Sequence, residues 1–90
     1  MVEQSVVVRN QPGIHARPAA QFVKKAGEFR SEILVSNGDL TVNGKSIMGV
    51  MMLAAEEGAT IRISASGPDE EAALNALVHL IDTKFGEGDD

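Results

Sequence analysis

Between Thr60 and Ala65 polar and apolar residues alternate strictly, with Ile61, Ile63 and Ala65 on one side and Thr60, Arg62 and Ser64 on the other. A period of two is that of a β-strand, and a polar side facing water places the strand in a sheet covered on one face only. Val2 to Arg9 carries the β-branched run Val6, Val7 and Val8 and ends in the turn-forming cluster Asn10-Gln11-Pro12-Gly13, so it also reads as a strand. Glu32 to Ser36 and Leu40 to Val42 flank Asn37-Gly38-Asp39, and an Asn-Gly pair between two β-favourable runs predicts an antiparallel hairpin.

Elsewhere the period changes to that of a helix. Ala19, Ala20, Phe22, Val23 and Ala26 recur at helical spacing, with Pro18 in the first turn and Gly27 placed to close the end. Asn43-Gly44 leads to Ser46, whose hydroxyl can cap a short helix that starts at Ile47 and finishes before Gly58. After Gly67-Pro68, the carboxylates of Asp69, Glu70 and Glu71 suit the positive end of a helix. Leu74, Leu77, Val78, Ile81 and Phe85 form the apolar stripe of that helix, and Gly86 ends it. The order is therefore βαββαβα, an α+β fold in which helices cover one face of a mainly antiparallel sheet. The pattern leaves strand order open, because ferredoxin-like folds share the βαββαβ part of this succession.

Composition narrows the function. Ninety residues with 43% apolar content make one domain, expected over residues 1–86, with the acidic residues 87–90 as a loose, disordered tail. A net charge of −5 opposes attachment to phosphate backbones, and the absence of Trp and Tyr removes the surfaces on which bases stack, so nucleic-acid binding is not expected. With no cysteine there is no disulfide, thiol nucleophile or thiolate metal site. No signal-peptide pattern opens the chain and no apolar run approaches the ~20 residues that span a bilayer, which points to the cytoplasm and against membrane insertion. Neither a metal nor a cofactor is called for.

The candidate chemistry lies in Gly13-Ile14-His15-Ala16-Arg17-Pro18-Ala19-Ala20. Taken alone, His15 could be an ordinary loop residue, a metal ligand or a nucleophile. If the first helix begins near Ala16 or Arg17, the amides of its first turn, that of Ala16 first, point toward the His15 side chain and make an anion site. Arg17 can add a charge-assisted clamp. Neutral imidazole, the majority form of an ordinary histidine at pH 7, is nucleophilic, so a His so placed could take up a phosphoryl group whose charge the helix end stabilises. His79, on the polar side of the last helix with no partner ligand nearby in sequence, is left out of the site.

GIHARPAAQFV and NGKSIMGVMMLAA, at this separation in a 90-residue chain, closely resemble the HPr family, the histidine-containing phosphocarriers of the phosphoenolpyruvate-dependent sugar phosphotransferase system. The resemblance runs from the first strand to Phe85. It implies an open-faced sandwich with sheet order 1-4-2-3 and three helices on one side. It also implies that enzyme I, charged from phosphoenolpyruvate, phosphorylates His15 on Nδ1, that Arg17 helps hold the group, and that sugar-specific IIA domains receive it. Such a protein is a carrier and not a stand-alone enzyme. Two departures are the longer acidic tail and Gly27, which stands where some relatives carry a basic or polar residue.

Around the short helix, Val50, Leu53 and Ala54 share one arc and Ile47, Met48, Met51 and Met52 another. The second arc can be internal packing or an exposed apolar patch of the adaptable kind that methionine provides. The resemblance favours docking of enzyme I and IIA domains at Ile47, Met48 and Met51, with Met52, Phe22 and Lys24 in the same docking surface. It further implies phosphorylation of Ser46 by HPr kinase/phosphorylase, which by itself reads as a helix cap. A nitrogen-regulatory HPr paralogue is the alternative reading. A ferredoxin-like regulatory module with an inert His15 is another, and a small enzyme with His15 as general base lacks any second acid, base or metal cluster.

Overall fold

The structure, a computed structural model, describes residues 1–9 and 13–83. In chain order the elements are β1 (Val2–Val7), α1 (Ala16–Ala26), β2 (Glu32–Asn37), β3 (Leu40–Asn43), α2 (Ile47–Met52), β4 (Thr60–Ser66) and α3 (Glu70–Asp82). All strand pairs are antiparallel and the sheet order is β1-β4-β2-β3, the order the family resemblance implied. The expected end of the last helix at Gly86, with Phe85, and the acidic tail lie outside the described residues, as does the turn at 10–12.

Register explains the two layers. Val6 stands opposite Ile61, and Val35 opposite both Ile63 and Val42, so their side chains line one face. Ser5 and Ser36 flank Arg62 on the other face, where the residues are exposed or half-buried. Leu74, Leu77, Val78 and Ile81 of α3 and Ala19, Phe22 and Ala26 of α1 pack on the apolar face in one core with Ile33, Val35, Ile61 and Ile63. A side chain of this size contributes roughly 1.5–3 kcal/mol on burial, which is what keeps the helices on that side.

The hairpin forms, but with a shifted turn. Asn37 pairs with Leu40 in the ladder, so the loop is Gly38-Asp39, and Gly38 adopts φ +64° as the first residue of a type II′ connection demands. Asn37 is free to do something else: its side-chain amide donates to the Leu53 carbonyl at 3.0 Å, satisfying the end of α2. Gly27 closes α1 in the right-handed region at φ −68°, so its freedom from a side chain is not what ends the helix.

Asp69 also differs from expectation. It stands at the N-cap of α3, yet its carboxylate does not cap that helix. It accepts from the Ser31 hydroxyl at 2.6 Å, the Ser31 amide at 3.0 Å and the Arg30 amide at 2.9 Å, tying the start of α3 to the turn before β2. These donors, the Ser31 hydroxyl foremost, hold the Asp69 carboxyl below its ordinary value. A depressed folded-state value means the clasp stabilises fully above the unfolded-state pKa and is lost as pH falls through the folded one. Urea titrations from pH 6 to pH 2.5 are therefore expected to show a stability loss beginning near pH 4 that is shallower in Asp69→Asn. It does not vanish there, because Glu70, lowered chiefly by the Gly67 amide, still titrates.

Candidate phosphoryl-acceptor site

His15 is the N-cap residue of α1, with extended backbone at φ −106° and ψ −161°. The first helical bond runs from the Ala19 amide to the His15 carbonyl at 2.9 Å, which leaves the amides of Ala16 and Arg17 ahead of it in the first turn. The third helical residue is Pro18, which has no N–H to offer. The amides at the start of α1 thus lie beside the histidine, where the sequence placed the amide of Ala16, and the Arg17 side chain is exposed next to them.

The imidazole is half-buried and not freely solvated. Its Nε2 is enclosed and makes no hydrogen bond, and among the described residues the side chain caps nothing. Nε2 turns inward. A buried, unpartnered nitrogen costs about 1–3 kcal/mol, a penalty that such groups carry at sites held in place by their neighbours.

What holds this loop is a segment that periodicity did not single out. Downstream of α2, the Ala55 carbonyl accepts from the Ile14 amide at 2.8 Å, and Gly13 forms an isolated antiparallel bridge with Glu56. At the other end of the loop, Val8 donates to Ala59 and accepts from Gly58, both at 2.8 Å. Residues 55–59 therefore grip both ends of the connection that carries His15. Gly13 is required: at φ +132° a side chain is strained, and a Cβ there would stand 2.7 Å from the Glu56 Cα. The Gly-Ile-His triplet carried that signal, but its meaning depends on a contact more than forty residues away.

Ala54, immediately before this segment, adopts φ +51°, a left-handed conformation in a residue with a Cβ. By helical spacing it shares an arc with Val50 and Leu53; those two are buried and Ala54 is exposed. The reason is that α2 ends at Met52, so the helical wheel no longer applies two residues later.

Ser46 caps α2 as expected, its Oγ accepting from the Gly49 amide at 3.1 Å. Beside it Lys45 donates through Nζ to the Phe29 carbonyl at 2.7 Å, fixing the approach to the helix. Ile47, Met48, Met51 and Met52 are exposed together, so the second arc is a surface patch and not internal packing. Lys24 is exposed on α1. Phe22 is a correction: at 1% exposure it belongs to the core and offers nothing to a partner, because its helical position faces inward with Ala19 and Ala26. Among the described residues no group of His, Cys, Asp and Glu could hold a metal, and no helix is long and apolar enough to cross a membrane.

This geometry coincides with a known family. The family model described as the PTS HPr component phosphorylation site matches residues 2–83. The phosphocarrier protein HPr of Neisseria meningitidis serogroup A is 47% identical over 89 residues, which span 99% of this chain and all of the relative. The HPr-like protein Crh of Halalkalibacterium halodurans is 46% identical over 82 residues, 91% of this chain and 98% of that one. Among solved structures, HPr-C-His from Thermoanaerobacter tengcongensis superposes with a TM-score of 0.93 at 49% identity, covering 97% of this chain and 98% of the other.

Two substitutions check the loop. Gly13→Ala is expected to destabilise by more than about 1 kcal/mol, with amide shifts at residues 55 and 56 in NMR spectra, since both φ and the close approach oppose a Cβ. Ala54→Gly is expected to stabilise by about 0.5–1 kcal/mol, raising Tm by a few degrees, because the left-handed strain exceeds the added entropy of the unfolded chain.

Proposed function

We propose, from the premise that the chain belongs to the HPr family of phosphocarriers of the phosphotransferase system, that His15 is its phosphoryl-accepting residue. The enclosed Nε2 is the observation that carries this reading most directly. A neutral imidazole with its proton on Nε2 presents the lone pair on Nδ1, and that nitrogen is the acceptor. The Nδ1 lone pair attacks phosphorus, a P–N bond forms as the bond to the donor breaks, and the Nε2 proton stays in place. The amides of Ala16 and Arg17 and the Arg17 guanidinium then face the transferred oxygens.

The donor is phosphorylated enzyme I, charged from phosphoenolpyruvate, and the acceptors are sugar-specific IIA domains, all working in the cytoplasm. Two amides and an exposed arginine stabilise the phosphoryl group only moderately, which suits a group that must be given away again. Carriage is the whole role: partners bring the remaining catalytic groups. Ile47, Met48, Met51 and Met52 form the docking patch, with Lys24 at its side on α1.

Ser46 is a regulatory site for HPr kinase/phosphorylase. A phosphate there adds about −1.5 to −2 charges at the start of α2, where the helix tolerates it and an apolar partner surface does not. A purely regulatory role is the second reading, favoured by the likeness to the HPr-like protein Crh and close in kind to a nitrogen-regulatory paralogue. The presence of His15 with Arg17 in place favours the relay.

Incubation with phosphoenolpyruvate and enzyme I is expected to yield one acid-labile, alkali-stable phosphate that is absent in His15→Ala. An unlabelled wild-type chain, with enzyme I active on another carrier, would reverse the assignment. HPr kinase with ATP is expected to add an acid-stable phosphate that Ser46→Ala abolishes while Tm changes little.

A further inference from the structure

The sulfur of this chain is distributed in an uneven way. There is no cysteine, and of the four methionines not one contributes to the core. Met48, Met51 and Met52 are 71%, 44% and 62% exposed on α2, and Met1 is 75% exposed at the chain start. Positions 48, 51 and 52 are related by three and four residues, so the three thioethers share one side of a six-residue helix with Ile47. Exposed thioethers react with peroxides, and the product, methionine sulfoxide, is polar and chiral where the parent is apolar and pliable.

We propose that Met48, Met51 and Met52 form a reversible oxidation site through which hydroperoxides weaken partner docking without unfolding the protein. In the step, a thioether lone pair attacks one peroxide oxygen and an S–O bond forms as the O–O bond breaks. The departing hydroxide takes up the proton left on the transferred oxygen and leaves as water, so sulfur loses two electrons and the peroxide gains them. Each event places a sulfoxide dipole in the patch that a partner must desolvate, and burial of that dipole without a matching donor is unfavourable. The apolar core, made of Val, Ile, Leu, Ala and Phe, holds no atom that the reagent can oxidise in the same way. Reversibility follows from enzymatic reduction of both sulfoxide epimers by methionine sulfoxide reductases.

This inference rests on the docking reading of the patch, and Met1 supplies an internal control because it is exposed at the N-terminus, outside α2. The full chain is treated with hydrogen peroxide, quenched with catalase and checked by mass for oxygen uptake. Binding to dephosphorylated enzyme I is then titrated, and phosphorylation by charged enzyme I is followed in parallel. The expected result is a rise of about tenfold or more in Kd and KM, with kcat and Tm little changed and both constants restored by the two reductases. The Met48→Leu, Met51→Leu, Met52→Leu triple variant, whatever its own untreated Kd, takes up oxygen only at Met1 and shows no further change of Kd on treatment. An unchanged Kd in the oxidised wild type overturns the proposal, as does an equal loss in the triple variant or a collapse of Tm. An untreated chain that binds enzyme I but takes no phosphate defeats the relay reading and leaves the oxidation test intact. One that does not bind at all defeats the docking reading and this inference with it.

Discussion

Three backbone hydrogen bonds and one bridge decide where His15 stands. The amide of Ile14 and the backbone of Val8 are held by Ala55, Gly58 and Ala59, while Gly13 meets Glu56 so closely that no side chain fits between them. None of these contacts involves a charged side-chain group, so salt and moderate pH leave them alone. This clamp fixes the direction in which the chain enters α1, and with it where the first-turn amides of that helix point. The same segment leaves α2, so the exposed apolar patch of α2 and the histidine loop share one short stretch of backbone.

That sharing separates two kinds of apolar residue. Those that hold the fold are Val, Ile, Leu, Ala and Phe sealed between sheet and helices; on α2, Val50 joins them while Ile47 and three flexible methionines stay exposed. A six-residue helix whose one buried residue is Val50 leaves Ile47 and its methionines on the open side. Its shortness is made tolerable by Ser46 at one end and by the Asn37 amide at the other, each satisfying backbone groups that such a helix cannot pair internally.

Much of this was legible in the residues. The alternation of β4, the stripe of α3 and the Ser46 cap are local properties, governed by a period or by a neighbour three residues away, and each appears where the chain spells it. Phe22 was misplaced because a family surface was carried onto a position that its own helical spacing assigned to the core. Ala54 and Asp69 eluded the sequence for a different reason: one obeys the end of a helix and the other answers Ser31, thirty-eight residues away. The clamp was equally hidden, since a backbone hydrogen bond leaves no mark on the side chains that make it.

The strand order carries a consequence for biosynthesis. β4 lies between β1 and β2 and pairs with both, yet it is the last strand to be made. A nascent chain therefore holds a lone first strand and a separate β2–β3 hairpin until Ser66 emerges, with no four-stranded sheet to join them. Closure is a late, long-range event, and a ribosome stalled before β4 would display an apolar ribbon in search of a mate.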